Sequence, residues 1–446
     1  MRLFFNIIVL LIIIGQFSHV HSQSAMTFAE LKPKIEKYFD PVLIADIESE
    51  LPTGSSYRIW GWDVGDFSGD GFYDLAFAVK KFSSPSHKIH VFMFVDIEGF
   101  LVKVAEIERD FLEIPLEVGI VIRDNACYVT EKSAKYHWAI KSYRYDDGVL
   151  ALFDEFKTAK INKYTHETYR NFSDLTTSEK VIRNSNGRVE MEANYLTLPS
   201  YERPRQFLKS YNNEIFSNST DFVSRGAYDR QDWEDISFYA KSAYDSRYLY
   251  FSVKVVDDQV VVPSCQDCTS DYIDLWLEME QREGSVNRLI NKFGNEMDLR
   301  KTAKSGVFRL SVYLGDFAEE KAHVFVSSSD NLSLQKRNSA SEIRAASKQV
   351  EGGYIVKFRV PFSLFGLDSP PFGENEQSEW GCSFVIHDID NEFRPEEETE
   401  ISSSKFQSGD PSSYGSLIFI RKGEWYGKSQ NIYADKILDY IREYGL

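Results

Sequence analysis

Behind the charge of Arg2, residues 3–14 form a mostly apolar run, and no later stretch approaches its density. Past it, Phe28, Leu31, Ile35, Phe39, Val42 and Ile47 recur at spacings near three and four, which predicts helix over residues 27–50 with breaks at Pro33 and Pro41. From Ile59 to about Phe156 the period shortens. Runs rich in Val, Ile, Phe and Tyr, such as residues 88–95 and 100–107, are joined by turn pairs like Glu98-Gly99 and Asp147-Gly148, the mark of a β domain. Residues 157–200 are polar, with a turn-like break at 184–187, and read as a connection. Beyond them the alternation is clean. Leu249, Phe251, Val253 and Val255 point one way, as do Ile273, Leu275, Leu277 and Met279, and residues 307–314, 354–360 and 383–387 read as further strands.

Many half-polar strands predict an antiparallel β-sandwich. The expected fold is thus mainly β: a β-rich N-terminal domain with short flanking helices (23–156), a connection (157–200), a sandwich (201–425) and a C-terminal helix (426–446). The charged or Ser-rich stretches 281–305 and 327–350 read as long surface loops, and no internal repeat stands out.

The N-terminus adds a compartment. A charged residue, a short apolar run and Val20-His21-Ser22 before a cut at Gln23 form a secretory signal peptide, so the mature protein is expected to be secreted or periplasmic. The run is short for a membrane span, so none is expected. A net charge of −17 argues against nucleic acid, which would be repelled. It fits a binder of neutral polymers or of cations. Of the four cysteines, Cys265 and Cys268 are close enough for a local disulfide, while free thiols or a metal role stay open. Sequons occur at Asn171, Asn218 and Asn331.

One short motif carries recognisable chemistry. Asp66, Ser68, Asp70 and Asp74, with Gly71 at the sharp turn and the Phe72 carbonyl, offer oxygens in the order that hard cations such as Ca²⁺ favour. Position twelve is Phe77 rather than Glu, so this is no EF-hand, and the loop runs straight into an apolar strand. Residues 65–75 resemble the calcium loop of FG-GAP (integrin-like) repeats. That resemblance implies a calcium-stabilised N-terminal domain, although those families stack several repeats and only one is legible here.

A second resemblance spans roughly residues 200–422. Trp233-Glu-Asp235, the stretch from Ala243 to Phe251, Asp257-Asp258, and Asp271-Tyr-Ile-Asp274-Leu-Trp-Leu are similar to family 9 carbohydrate-binding modules, as are residues 353–361 and 381–390. The resemblance implies a β-sandwich that binds glycans through stacked tryptophans, with calcium as a structural ion. The two sandwiching tryptophans have no evident counterparts here. Strand alternation nevertheless places Trp276 on the face of Asp274 and Glu278, opposite Ile273, Leu275 and Leu277. An indole among carboxylates is either a platform for the apolar side of a sugar ring or a side chain covered by a loop. Trp233 and Trp380 are further candidates near strand starts, and Asp257, Asp258 and Asp271 either ligate calcium or shape turns. There is no Gly-x-Ser-x-Gly elbow, His-Glu-x-x-His or phosphate-binding Gly-rich loop. The expected activity is non-catalytic glycan binding. A structural or protein-interaction sandwich is the first alternative and a glycan-active hydrolase the second.

Overall fold

A computed structural model describes residues 25–51, 57–81, 87–111, 117–134, 137–146, 148–161, 163–202, 214–227, 230, 232–262, 269–279, 306–328, 339–371 and 379–420. The signal segment, Cys265, Cys268, Asn331, residues 281–305 and the C-terminal helix lie outside these residues. No helix among the described residues is long and apolar enough to cross a membrane. The described residues divide into two units, one up to residue 150 and one from residue 151 on.

In the first unit, Thr27 opens helix α1 (Phe28–Ile35) with a reciprocal cap: its hydroxyl accepts the Glu30 N–H, and the Glu30 carboxylate accepts the Thr27 N–H. Pro33 sits inside α1 rather than breaking it, since so short a helix loses only one hydrogen bond there. Helix α2 (Pro41–Glu50) starts on Pro41, where no N–H is needed, behind Asp40 as cap. Strands β1 (Tyr57–Gly65), β2 (Asp74–Lys81), β3 (His87–Ile97) and β4 (Phe100–Phe111) form an antiparallel sheet in sequence order. Its Phe77, Val79, Phe92 and Phe94 share a core with Leu31, Ile35, Ile44 and Ile47 of the helices. Ala76, Ala78, Val91 and Met93, at the alternate positions, are buried as well. Cover on both faces is why these strands read as apolar runs. β1 lies close to β5 (Glu117–Arg123), which continues antiparallel into β6 (Ala126–Ala134) and β7 (His137–Asp146). Gly65 permits the approach, because a Cβ there would stand 2.8 Å from the Ile122 side chain.

The second unit begins within β8 (Val149–Ile161) and continues through β9 (Tyr164–Asn171), β10 (Thr176–Arg183) and β11 (Arg188–Glu202) as an antiparallel meander. Residues 157–200 are therefore strands and not a connection. Their inward positions are polar, which hides the alternation: buried Arg170 meets Glu155 at 3.3 Å and Glu379 at 2.9 Å and donates to the Thr177 hydroxyl. Buried charges persist only when paired in this way.

The remaining strands are β12 (Glu214–Ser217), β13 (Val223–Arg225), β14 (Ile236–Tyr244), β15 (Tyr248–Asp257), β16 (Tyr272–Glu278), β17 (Val307–Tyr313), β18 (His323–Ser328), β19 (Arg344–Val350), β20 (Gly353–Pro361), β21 (Glu379–Asp388), β22 (Thr399–Ser402) and β23 (Gly415–Ile420). One sheet runs β19–β20–β15–β14–β12, the other β18–β17–β16–β21–β22–β13. β23 joins them, pairing with β21 and, in parallel, with β11, which pairs with β14. The protein is thus mainly β, with an antiparallel sandwich in its C-terminal half. Phe251, Val253, Leu275, Leu310, Val356 and Phe384 meet between the sheets, as the alternation requires. Each such burial contributes about 1.5–3 kcal/mol. The stretch read as a loop over 327–350 includes β19, a strand with exposed alternate positions that its serines and charges disguise.

Gly353 fixes the turn between β19 and β20. Its φ is +133°, and a Cβ would lie 2.1 Å from the Val255 carbonyl oxygen, inside the β15–β20 ladder. Gly353→Ala should therefore destabilise the second unit by about 2 kcal/mol or more in thermal melts, and an unchanged midpoint would refute this packing.

Candidate functional site

With Ile273, Leu275 and Leu277 turned inward, β16 presents Tyr272, Asp274, Trp276 and Glu278 on its other face. Register decides their neighbours. Trp276 lies between Arg309 and Ser383, Asp274 between Ser311 and Val385, and Tyr272 between Tyr313 and His387. On β18, His323 stands opposite Tyr313 and Phe325 opposite Ser311. The outcome is a row of stacked rings across four strands: His323 on Tyr313 at 5.2 Å, Tyr313 on Tyr272 at 5.5 Å and Tyr272 on His387 at 4.0 Å.

Asp274, expected to meet a sugar, is buried and serves the other side chains of this face. Arg309 grips one of its oxygens through Nε at 2.8 Å and Nη2 at 2.7 Å, Ser311 donates to the other at 2.7 Å, and His387 Nε2 lies 3.2 Å away. Burial works against its charge, but the bonds from His387 and Arg309 outweigh that and hold the carboxyl below its usual range. Burial likewise pulls the His387 imidazole down, yet its bonds with Asp274 and Glu398 raise it above the ordinary value. Held by Asp274, the Arg309 guanidinium lies over the Trp276 ring, 5.4 Å from its centre. Phe406 and Tyr414 flank the same indole at 5.5 and 6.0 Å, leaving it half-buried. Phe325, 65% exposed, belongs to the same face.

The other tryptophans separate from this group. Trp380 is 1% exposed, packed edge-on against Phe365 and Phe419, and so encloses no face for a ligand. A strand-start indole can anchor a core, and this one does. Trp233 is exposed beside a hollow lined by Asn218, Thr220, Val223 and Arg230, away from β16 in sequence and sheet order. Arg230 is committed there to the Ile236 and Asn218 carbonyls. Arg309, Tyr272, Tyr313, His387 and Phe406 escaped the sequence reading. Alternation in residues 307–314 puts Arg309 and Tyr313 on an outer face, but pairing with β16 is not written in either strand.

Three carboxylates meet where strands end. Asp257 closes β15, Asp271 precedes β16 and Asp388 closes β21; one oxygen from each lies within 4.8 Å of the others, and all three residues are buried. Asp271 accepts the Val261 and Ile389 N–H groups, and Asp257 accepts that of Gln259. Asp388 Oδ1 and the buried Tyr354 hydroxyl have no hydrogen-bond partner, and Asp257 Oδ2 receives no N–H or O–H donor, its carboxyl lying close enough to Asp271 to share a proton. Burial, then mutual repulsion, pushes Asp388 up to about 10 and Asp271 well above its usual range; Asp257 rises to about 6, chiefly through burial. Orphaned oxygens at this spacing fit a hard cation such as Ca²⁺, whose oxygen ligands stand 2.3–2.6 Å away. Asp257 and Asp271 were candidates from sequence; Asp388 was not.

The loop Asp66–Asp74 fits less well. Asp66 accepts the Gly69 and Gly71 N–H groups, Asp70 that of Phe72, and Asp74 those of Phe67, Ser68 and Asp96. Asp74 is fully buried, and desolvation raises its carboxyl to about 6 despite these bonds. The carboxylates of this loop accept N–H groups of the loop itself and of Asp96. Among the described residues they form no convergent group of the kind seen at Asp257, Asp271 and Asp388. Cys127 and Cys382 are both buried.

No protein-family model matches this sequence, and no curated protein matches it. Two solved structures of a family 9 carbohydrate-binding module from Caldicellulosiruptor kristjanssonii are similar in fold. The cellotriose complex is 13% identical, covering 53% of this chain and 96% of that one; the glucose complex is 15% identical, covering 53% and 98%. Both have a TM-score of 0.30, too low to transfer a residue or a ligand.

Calcium should raise the melting temperature of the chelator-stripped protein, by about 2.7 kcal/mol of stability at a hundredfold excess over Kd. Calorimetry of Asp388→Asn should lose most of this gain and Asp70→Ala a smaller part of it; a gain untouched by Asp388→Asn would leave the cation in the N-terminal loop alone. Acidity supplies a second check. Carboxyls raised on folding contribute stability that is full below the unfolded value near 4 and is lost as pH climbs towards their folded values, here up to about 10. In chelator, stability should therefore fall between pH 5 and 9 more steeply in wild type than in Asp388→Asn. Equal slopes would show that the carboxylates are not buried together.

Proposed function

We propose that the chain is an exported, non-catalytic glycan-binding protein whose sandwich takes a saccharide on the outer face of β16 and β17. The observation that carries this reading is Trp276, half-open on a polar face, with Arg309 across its ring and Phe406 beside it. A sugar ring offers apolar C–H edges to aromatic side chains and hydroxyls to their polar neighbours. Trp276 and Phe325 supply apolar surface, while Arg309, Tyr272 and Tyr313 supply donors and acceptors. Stacked ring on ring, the tyrosines turn edges rather than faces outward, which suits them to hydroxyls. Export follows from the N-terminal signal pattern, and a net charge of −17 suits a neutral polymer better than an anionic one.

Calcium completes the proposal as a structural ion. Asp257, Asp271 and Asp388 would hold it, and it would supply the positive charge that lets three carboxylates stay buried. A cation in the Asp66, Ser68, Asp70, Phe72 and Asp74 loop, and a disulfide between Cys265 and Cys268, are further parts of the proposal.

The flanking of Trp276 by Phe406, Tyr414 and Arg309 favours one second reading, a sandwich that meets a protein through this face. Isothermal titration of the full chain against soluble oligosaccharides, cellotriose among them, separates the two. Trp276→Ala should weaken binding about tenfold to a hundredfold, or 1–3 kcal/mol, with little change in melting temperature. Loss of several kcal/mol of stability would make the indole core, and no binding by wild type would leave the protein-interaction reading.

A further inference from the structure

The carboxylate cluster and the aromatic face share two strands at adjoining positions. Asp271 immediately precedes Tyr272, and Asp388 immediately follows His387. Tyr272 and His387 are direct partners in the β16–β21 ladder, their rings parallel to within 6° at 4.0 Å. The Ile389 N–H, one residue beyond Asp388, donates to Asp271 at 2.9 Å, so the two strand ends are already tied across the cluster. From His387 the contacts continue through Asp274 to Arg309, and from Arg309 to the Trp276 ring.

We infer that a cation held by Asp257, Asp271 and Asp388 sets the geometry of the Tyr272–His387 stack, and through Asp274 positions Arg309 over Trp276. Glycan affinity is then cation-dependent although the cation touches no sugar. The inference rests on the glycan reading of this face for its ligand, but not for its first step. An ion bound by one oxygen from each carboxylate would hold the three strand ends to one common centre. Without the ion the carboxylates must repel or take up protons, and the ends of β15, β16 and β21 lose their common centre. A stack at van der Waals distance has no slack to absorb that shift, and the Asp274–Arg309 pair hangs from the same histidine. Asp257, Asp271 and Asp388 are positioning residues in this scheme.

The test uses the full chain, stripped with chelator and titrated with calcium. Histidine ring resonances are followed by NMR, with His387→Gln giving the assignment. The His387 signal should move in step with the calcium-induced rise in melting temperature and stay still in Asp388→Asn, or in Asp257→Asn should that variant fold better. Oligosaccharide affinity should be about tenfold weaker in chelator. Tyr272→Leu should keep the calcium-induced rise in melting temperature but bind sugar equally with and without calcium, an effect that a merely structural ion would not give. A His387 signal unmoved at calcium saturation overturns the inference, as does equal sugar affinity for wild type in calcium and chelator. If no sugar binds while the His387 signal follows calcium, the glycan reading falls and the positional link between cluster and face stands.

Discussion

Three carboxylates with almost no access to water, at the ends of β15, β16 and β21, are the constraint around which the C-terminal half is arranged. Burying one unpaired carboxylate is costly, and placing three within one ion's reach multiplies the cost unless protons or a cation cancel it. The backbone answers part of the demand, through the Gln259, Val261 and Ile389 N–H groups. What it leaves, two carboxylate oxygens without an N–H or O–H donor and the Tyr354 hydroxyl without a partner, is the part a cation would satisfy. Asp271 and Asp388 adjoin β16 and β21, two of the strands that carry the outer face, so the cost of the cluster and the shape of that face are decided together.

That face works by division of labour. Asp274 and His387 are buried and paired; they give up contact with solvent and in exchange hold Arg309 and Tyr272 in place. Trp276, Arg309 and Phe325 keep part of their surface open. Such an arrangement limits the side-chain freedom that a ligand would otherwise have to freeze on binding. Each carboxylate around His387 also meets an arginine, Asp274 through Arg309 and both Glu398 and Glu400 through Arg225.

The two acidic motifs of the chain show how alike sequences diverge in structure. The Asp66–Asp74 loop has cation-loop spacing, yet its carboxylates accept N–H groups of their own turn and of Asp96, a self-contained way to build a sharp corner. The Asp257, Asp271 and Asp388 group has no local spacing at all, and its oxygens converge with too few donors to satisfy them. Local order favours internal satisfaction because backbone donors are always near. Convergence from three strands brings carboxylates together without bringing their donors.

Period-two alternation is a local property, so the sequence alone determined the sandwich, the inward Leu275 and Leu277, and the outward placement of Trp276 beside Asp274. It failed where the buried face was polar: the Arg170, Glu155 and Glu379 network disguised β9 to β11 as a connection. It also could not rank the tryptophans, because burial of Trp380 depends on Phe365 and Phe419, which arrive from other elements. Tertiary structure alone decided the register that sets Arg309 across Trp276 and His387 against Tyr272, and the meeting of Asp388 with Asp257 and Asp271. Strand pairing is fixed by long-range packing and carries no signature in either partner's sequence. A site made of cross-strand neighbours therefore becomes legible only when the sheet is assembled.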